Sequence, residues 1–540
     1  MLCSIVQAQK VTVSGIVSDQ ESGEKLAGAY ICIDEYNIRT VTNTYGFYSL
    51  KLPSDTSLRL SCSYIGYQNK NISITLPENN VCNIEMKQLN EIEEIVVKGN
   101  NKNILQNPVT SVNTITAKEI QALPSITGEN DILLAFQMMP GVQGGNEGTG
   151  ALFVRGGGVD QNLYLLDGVP LYYVNHLGGF ISVFDENAIK SANLYKGGFP
   201  AQYSGKLSSI LDIRLKDGNK QNIHGEIKFD ILASKLFVEG PALKKKAGFM
   251  VSVRRCNLDL ITRTFFKEKD PNGVGAYGYS FLDFNSKINF ALSEKDALSV
   301  FAYYGRDNIM YKYEGTEGPA ATANYNFEER WNVTWGNKMA GINWNRILSK
   351  RIYTDLTAAY TRFDYKNELN VQEFITGSEE LVFKNTNKNA SGIGDFIADF
   401  NIDYFLANKH KFKFGSSFIR HTFEPQTVYL YQKGTDVTDT TYGNNKIYSS
   451  EYNLYASYNL QLGKRFSSNL GINYTVYNTD SLNYSDIQPR IISNFIITDN
   501  ISFKASYARM AQYAHLLSES NVGMPVDMWL PATKAAMPES

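Results

Sequence analysis

The chain has 540 residues, with 52 Lys and Arg against 54 Asp and Glu and a net charge of -2. That length exceeds one ordinary domain, and the balanced charge gives no reason to expect a nucleic-acid partner. No apolar run reaches the roughly 18 residues of a helical membrane span, a test that does not touch barrels, whose apolar residues take every second position. The 34 Tyr, 29 Phe and 42 Gly favour β-structure with many turns.

In chain order, Leu2-Cys3-Ser4-Ile5-Val6-Gln7-Ala8 reads as the tail of a secretory signal, with Val6 and Ala8 at the small-residue positions before cleavage. Residues 1–9 are expected to be a signal remnant. The cysteines Cys3, Cys32, Cys62, Cys82 and Cys256 match no zinc spacing. They read as small buried side chains, and a Cys32–Cys62 or Cys62–Cys82 disulfide stays open as an alternative in an oxidising compartment.

Residues 10–88 hold short apolar runs, among them Val11-Val13, Tyr30-Ile31-Cys32-Ile33, Phe47-Tyr48-Ser49-Leu50 and Leu58-Arg59-Leu60-Ser61-Cys62. Gly23, Gly28, Gly46, Pro53-Ser54-Asp55 and Gly66 separate them, which predicts a small β-sandwich. Through Gly28-Ala29, Tyr45-Gly46-Phe47-Tyr48 and Tyr64-Ile65-Gly66-Tyr67 the unit resembles the carboxypeptidase regulatory-like domain that precedes many receptors of the Bacteroidetes type. The resemblance implies no catalytic residues.

Residues 89–103 read as a linker in which Glu93-Glu94-Ile95-Val96-Val97 suits extended capture by strand addition. Its plain reading is an acidic tether ending in one edge strand; its functional reading is a TonB box.

Residues 104–217 are expected to be an α+β unit. Phe153-Val154-Arg155-Gly156-Gly157-Gly158 is followed by Asn162 to Pro170, which includes Asp167-Gly168. Then come Leu194-Tyr195-Lys196-Gly197-Gly198-Phe199-Pro200-Ala201-Gln202-Tyr203 and Leu207 to Ile213. Leu163 to Leu166 and Ile210 to Ile213 read as strands buried on both faces, and Asp167-Gly168 as a hairpin signal. The glycine run is no phosphate loop, because no Lys-Ser/Thr follows and no helix is expected to open there. The four blocks in order resemble the plug domain of TonB-dependent receptors. Arg155 and Asp167 are expected in ion pairs within the plug or from plug to barrel, and His176 in a structural role rather than as a metal ligand.

From residue 218 the pattern repeats. Leu282, Phe284, Ile288 and Phe290 alternate with Asp283, Asn285, Lys287 and Asn289; Phe396 and Phe400 with Asp395 and Asp399; Tyr452 and Leu454 with Asn453; Leu470, Ile472 and Tyr474 with Asn469, Asn473 and Thr475. Segments of about ten residues or more suit tilted membrane strands. Tight turns such as Leu348-Ser349-Lys350 and Ala407-Asn408-Lys409 alternate with polar stretches 254–280, 306–335, 366–392 and 425–446, expected as long outer loops. Residues 218–540 are therefore expected to be an antiparallel transmembrane β-barrel. About a dozen strands are expected up to residue 510, against about 22 in plugged transporters, so the barrel is expected to be incomplete in this chain.

Taken whole, the chain resembles a TonB-dependent outer-membrane receptor with a mainly β fold. The resemblance implies TonB with ExbB and ExbD as partners, outer-membrane lipid around the barrel, the front domain in the periplasm, and import of a scarce nutrient such as a metal-siderophore complex captured on the extracellular face. It implies no cofactor, no metal site and no enzymatic activity, and no nucleophile elbow or paired-histidine motif stands against that. The Lys196 to Tyr203 block departs from the plug pattern of glycan importers, so a surface lipoprotein partner is not favoured. The rival reading is a non-transporting outer-membrane binding or assembly protein with a fixed plug.

Overall fold

The computed structural model describes residues 10–540 except 37, 55–56, 77–79, 90–111, 123–128, 146–151, 266, 271, 317–324, 435, 444, 464, 481–482, 499 and 518–527. The expected signal remnant and the candidate TonB box, Glu93 to Val97, lie outside the described residues.

The front domain is a β-sandwich. One sheet runs Phe47–Pro53, Lys10–Asp19, Ile84–Met86, the other Ile38–Val41, Tyr30–Ile33, Ser57–Ser63, Lys70–Thr75. Alternate residues, among them Val13, Val17, Ile31, Leu50 and Leu60, fill the space between the sheets. Cys32, Cys62, Cys82 and Cys256 are free thiols, so neither disulfide alternative is present. Gly15 is pressed against the returning chain: a Cβ there would lie 1.9 Å from the Cys82 carbonyl oxygen. Gly15→Ala is expected to cost about 2–3 kcal/mol by overpacking. Hydrogen exchange in the strand Lys10–Asp19 should speed accordingly; unchanged protection would show that the 80–83 segment yields freely.

The plug is built on a mixed sheet of Val169–Leu171, Asn162–Leu166, Ser209–Leu215, Ile189–Tyr195 and Val112–Thr116. Asn162–Leu166 lies parallel to Ser209–Leu215 at its centre, and both strands are largely buried. Asp167 and Gly168 have φ of 49° and 87°, the positive pair that a two-residue hairpin into Val169–Leu171 requires. After Gly158 a single 3-10 turn, Val159–Gln161, opens where no helix was expected. The Gln161 Oε1 accepts from the Gly158 amide at 3.0 Å and locks the turn, and its Nε2 donates to Glu539 at 3.2 Å.

The third unit is one antiparallel sheet. Its path runs His224–Phe229, Ala233–Ala242, Ala247–Cys256, Gly273–Ala291, Asp296–Thr316, Tyr325–Ser349, Ile352–Ile375, Leu381–Ala407, His410–Lys433, Ile447–Leu462, Phe466–Thr479, Asn483–Thr498, Ile501–Ala508. Each strand pairs with its chain neighbour on this path, curving around the plug. The pattern is inside out: Leu282 and Phe284 are 40% and 36% exposed, while Asp283 and Asn285 between them are 0% and 3%. Phe396, Phe400, Tyr452, Leu454, Leu470 and Ile472 are exposed likewise, with Asp395, Asn453, Asn469 and Asn473 buried. A water-soluble sandwich places these residues the other way round. Tyr304, Tyr360, Tyr452 and Tyr474 stand on the exposed face; Tyr404 is half-buried. Among the described residues no helix is long and apolar enough to cross a membrane.

The longer strands run well past ten residues, up to 27 in Leu381–Ala407. One expectation is corrected. The polar stretches taken as outer loops are mostly strand: Asp296–Thr316 and Tyr325–Ser349 occupy much of 306–335, and Leu381–Ala407 enters 366–392. Beyond the lipid both faces meet water, so alternation fades while the hydrogen-bonded ladder continues. Stretch 254–280 also holds a helix, Leu258–Phe265. Near the end of the chain Met528–Pro531 pairs with Ala514–Leu517.

Candidate functional site

The functional surface is the seam between plug and barrel wall, and two ionic clusters hold it on one side. In the first, the plug contributes Glu129, Asp185, Glu186 and His176. Lys235 of Ala233–Ala242 lies 2.8 Å from Glu129, 3.2 Å from Glu186 and 3.7 Å from Asp185. Arg254 of Ala247–Cys256 spans from Glu129 at 3.1 Å to Asp283 at 2.7 Å and donates to the Ser182 carbonyl at 2.7 Å. His176 closes the chain, with Nε2 2.9 Å from Asp283 and Nδ1 2.7 Å from Asp307. Its ring stacks on Phe281 at 4.1 Å, and the Tyr279 hydroxyl donates to Asp307. Burial alone would lower the His176 pKa; Asp283 and Asp307, one at each ring nitrogen, outweigh it and raise it to about 9, which favours the protonated ring. The structural role expected for His176 is thus a specific one, a plug cation between two barrel carboxylates.

In the second cluster Lys287 lies 3.0 Å from Asp167 and 2.9 Å from Asp217. Asp217 also pairs with Lys190 at 3.1 Å, and Lys190 with Glu24 of the front domain at 3.6 Å. Burial would push Asp217 up, but Lys190 and Lys287 hold it well below the usual carboxylate range.

Beyond the second cluster, whose Asp167 borders the gap, the seam is open. A cavity of about 780 Å³ separates plug residues Tyr172, Tyr203, Lys206 and Arg214 from wall residues Asp355, Asp395, Asp399, Lys413, His421 and Glu451. Thr44 and Tyr45 of the front domain complete its lining. Polar contacts cross it at few points: Tyr172 to Asp395, Ser204 to Glu451 at 3.3 Å, and Lys413 to Gln202. Burial drives the Lys206 pKa down to about 8, with Asp160 and Glu451 opposing. Its ammonium donates to the Asp160 carbonyl and stands 4.7 Å over the Trp529 ring. The lining mixes charged and hydroxyl-bearing side chains with aromatic and aliphatic ones, among them Leu163, Leu171, Phe363 and Ile397.

The residues singled out in the sequence fall as follows. Asp167 and Gly168 form the hairpin turn at the second cluster. Tyr203 is buried; its hydroxyl meets Asp212 at 3.2 Å, and its carbonyl accepts from Arg490 of the wall. Arg155 is exposed with φ 52°, and Gly197, at φ 116°, gives its guanidinium room. Gly156, at φ 82°, and Gly157 carry the same bend, where a Cβ on Gly157 would strike Ser208 at 2.4 Å; Gly198 has φ 62°. Sequence reasoning missed Lys235, Arg254, Asp283, Asp307 and Lys287 as plug contacts. The available signal was charge at inward positions of alternating strands.

Residues 13–97 match a CarboxypepD_reg-like domain, 105–208 a TonB-dependent Receptor Plug Domain and 262–519 a TonB dependent receptor-like β-barrel. The TonB-dependent receptor P3 of Formosa agariphila is 29% identical over 129 residues, 24% of this chain and 13% of that protein. Among solved structures, the outer membrane transporter YddB from Escherichia coli aligns at 14% identity and TM-score 0.51, over 75% of this chain and 61% of that one. The siderophore receptor PiuA from Acinetobacter baumannii aligns at 14% identity and TM-score 0.50, over 76% and 65%. The chain therefore spans less than two thirds of each of these relatives. With a regulatory-like sandwich, a plug and an inside-out sheet in series, the chain belongs to the TonB-dependent receptor family, in its Bacteroidetes form.

Proposed function

We propose that this protein is an energy-coupled importer of the outer membrane, with its front domain, residues 10–88, in the periplasm, its plug at 104–217 and its barrel from 218. The observation that carries the reading is the uneven seam: charge clusters tie the plug to the wall at His176 and Asp167, and from Asp167 onward a cavity of about 780 Å³ keeps plug and wall apart. Such a plug can shift toward the cavity without leaving the barrel. TonB, driven by ExbB and ExbD, supplies the pull through Glu93 to Val97, and ligand binds on the extracellular face. The lining offers no nucleophile set, and the protein acts by binding and moving its ligand rather than by transforming it. A metal-siderophore complex is the first class to test, since the structural relatives include a siderophore receptor.

Deletion of residues 93–97 is expected to abolish proton-gradient-dependent uptake of a ferric siderophore panel while leaving surface binding unchanged. Accumulation that survives both the deletion and dissipation of the gradient would reject coupling and leave the fixed-plug alternative.

A further inference from the structure

The front domain does more than precede the plug. Its turn Asn43–Phe47 reaches the barrel at the end that carries the short turns. Phe47 is fully buried, yet it lies outside the sandwich core; it packs on wall residues Tyr353 at 5.4 Å and Phe405 at 5.6 Å. Tyr45 stacks on the same Tyr353 at 5.5 Å and accepts from Asn343 at 3.2 Å. Asn43 donates to Asp403 at 3.0 Å while its Oδ1 accepts from the Tyr45 and Phe47 amides at 3.0 and 2.9 Å. One side chain thus shapes the turn and anchors it.

Neighbouring contacts fix the domain's orientation. Asn408, in a tight turn of the wall, exchanges two hydrogen bonds with the Lys51 backbone, at 2.6 and 2.7 Å. Arg351, in the adjacent turn, donates to Thr12 at 3.0 Å. On the plug side, Glu24 accepts from the Asp217 amide at 2.7 Å and pairs with Lys190. Thr44 and Tyr45 consequently form part of the lining of the plug–barrel cavity at its short-turn end.

We propose that the front domain is the exit gate of this cavity, its Asn43–Phe47 turn closing the periplasmic mouth until the domain is lifted away. The gate rests on the import reading above and adds a step to it. The chain from Leu89 to Val112 joins the gate directly to the edge strand of the plug sheet. Tension on that connection acts on both bodies at once, so one pull opens the mouth and strains the plug. The aromatic seat resists casual opening because Phe47 and Tyr45 lose their partners when the turn withdraws.

The test places a cysteine at Thr357, a buried wall position that lines the cavity, and follows its modification by a membrane-impermeant maleimide applied from the periplasmic side of oriented proteoliposomes. Peptide mass spectrometry reads residue 357 separately from the native thiols. Two backgrounds are compared with the parent: Tyr45→Ala, which thins the floor with the domain in place, and Asn43→Ala/Phe47→Asp, which breaks the seat. Labelling at least tenfold faster in both supports the gate. Labelling at the parent rate in both overturns it, because the plug would then seal the exit unaided. The outcome is independent of coupling: uptake that survives both deletion of 93–97 and dissipation of the gradient rejects energy coupling, yet leaves the labelling rates to be judged alone.

Discussion

Replacing His176 by leucine is expected to loosen the plug by about 3–5 kcal/mol, the usual cost of stranding one member of a buried ion pair. Asp283 keeps Arg254, but among the described residues Asp307 keeps the Tyr279 hydroxyl alone. The pH dependence gives the charge a separate signature. The folded-state pKa of His176 is raised from 6.5 to about 9. Its contribution is therefore complete below about pH 6.5 and is lost as pH rises through about 9. A rise of that size corresponds to roughly 3 kcal/mol, consistent with the cost of the substitution. In urea titrations of the protein in planar bilayers, the parent should open to current at progressively lower urea between pH 6.5 and 9. His176→Leu should open early at every pH. His176→Gln, which keeps a donor but no charge, should fall between the two and show no dependence in that window. Equal urea midpoints for parent and leucine variant across the window would remove His176 from the account of how the plug is held.

The architecture was legible because membrane strands obey a period of two. Asp283, Asn285, Lys287 and Asn289 on one face of a strand, with Leu282, Phe284 and Ile288 on the other, already mark an inside-out sheet. The same rule hid the strand extensions. From Lys384 to Ala390 the ladder is unbroken, but Asn385, Asn387 and Asn389 no longer alternate with greasy residues, since water lies on both sides. The site was less legible for a different reason. Asp167-Gly168 is a local signal, and local signals survive in sequence. His176 meets carboxylates 107 and 131 residues away, and only the seating of the plug decides which inward charge it finds. Phe47 reads as one more apolar residue of a sandwich strand; nothing adjacent to it tells that its ring serves the barrel. The cysteines illustrate the same limit, for spacing along the chain carries no distance between sulfurs.

Substitution of Lys287 by methionine tests the second cluster and is expected to cost about 3–5 kcal/mol, because one ammonium serves two plug-side carboxylates. Asp217 retains Lys190, so the penalty falls mainly on Asp167. Asp167→Asn should cost only about 1–2 kcal/mol. Asparagine tolerates the φ of 49° at this turn, can still accept from the Leu215 amide, and leaves Lys287 its bond to Asp217. The double variant should be less damaging than the sum, by about 1–3 kcal/mol, since no charge is then stranded at 167. The acid limb supplies the sign. In the parent, Asp217 is held below the usual carboxylate range, so its contribution is present above about pH 4 and lost as pH falls further. In Lys287→Met one buried carboxylate has lost its cation, so mild acid should restore part of the lost stability instead of eroding it. Hydrogen exchange in the plug strand Asn162–Leu166, followed from pH 7 down to about 4, reads both effects. Strict additivity of the two substitutions, with parent-like acid behaviour in Lys287→Met, would mean that Lys287 stands near these carboxylates without binding the plug to the wall.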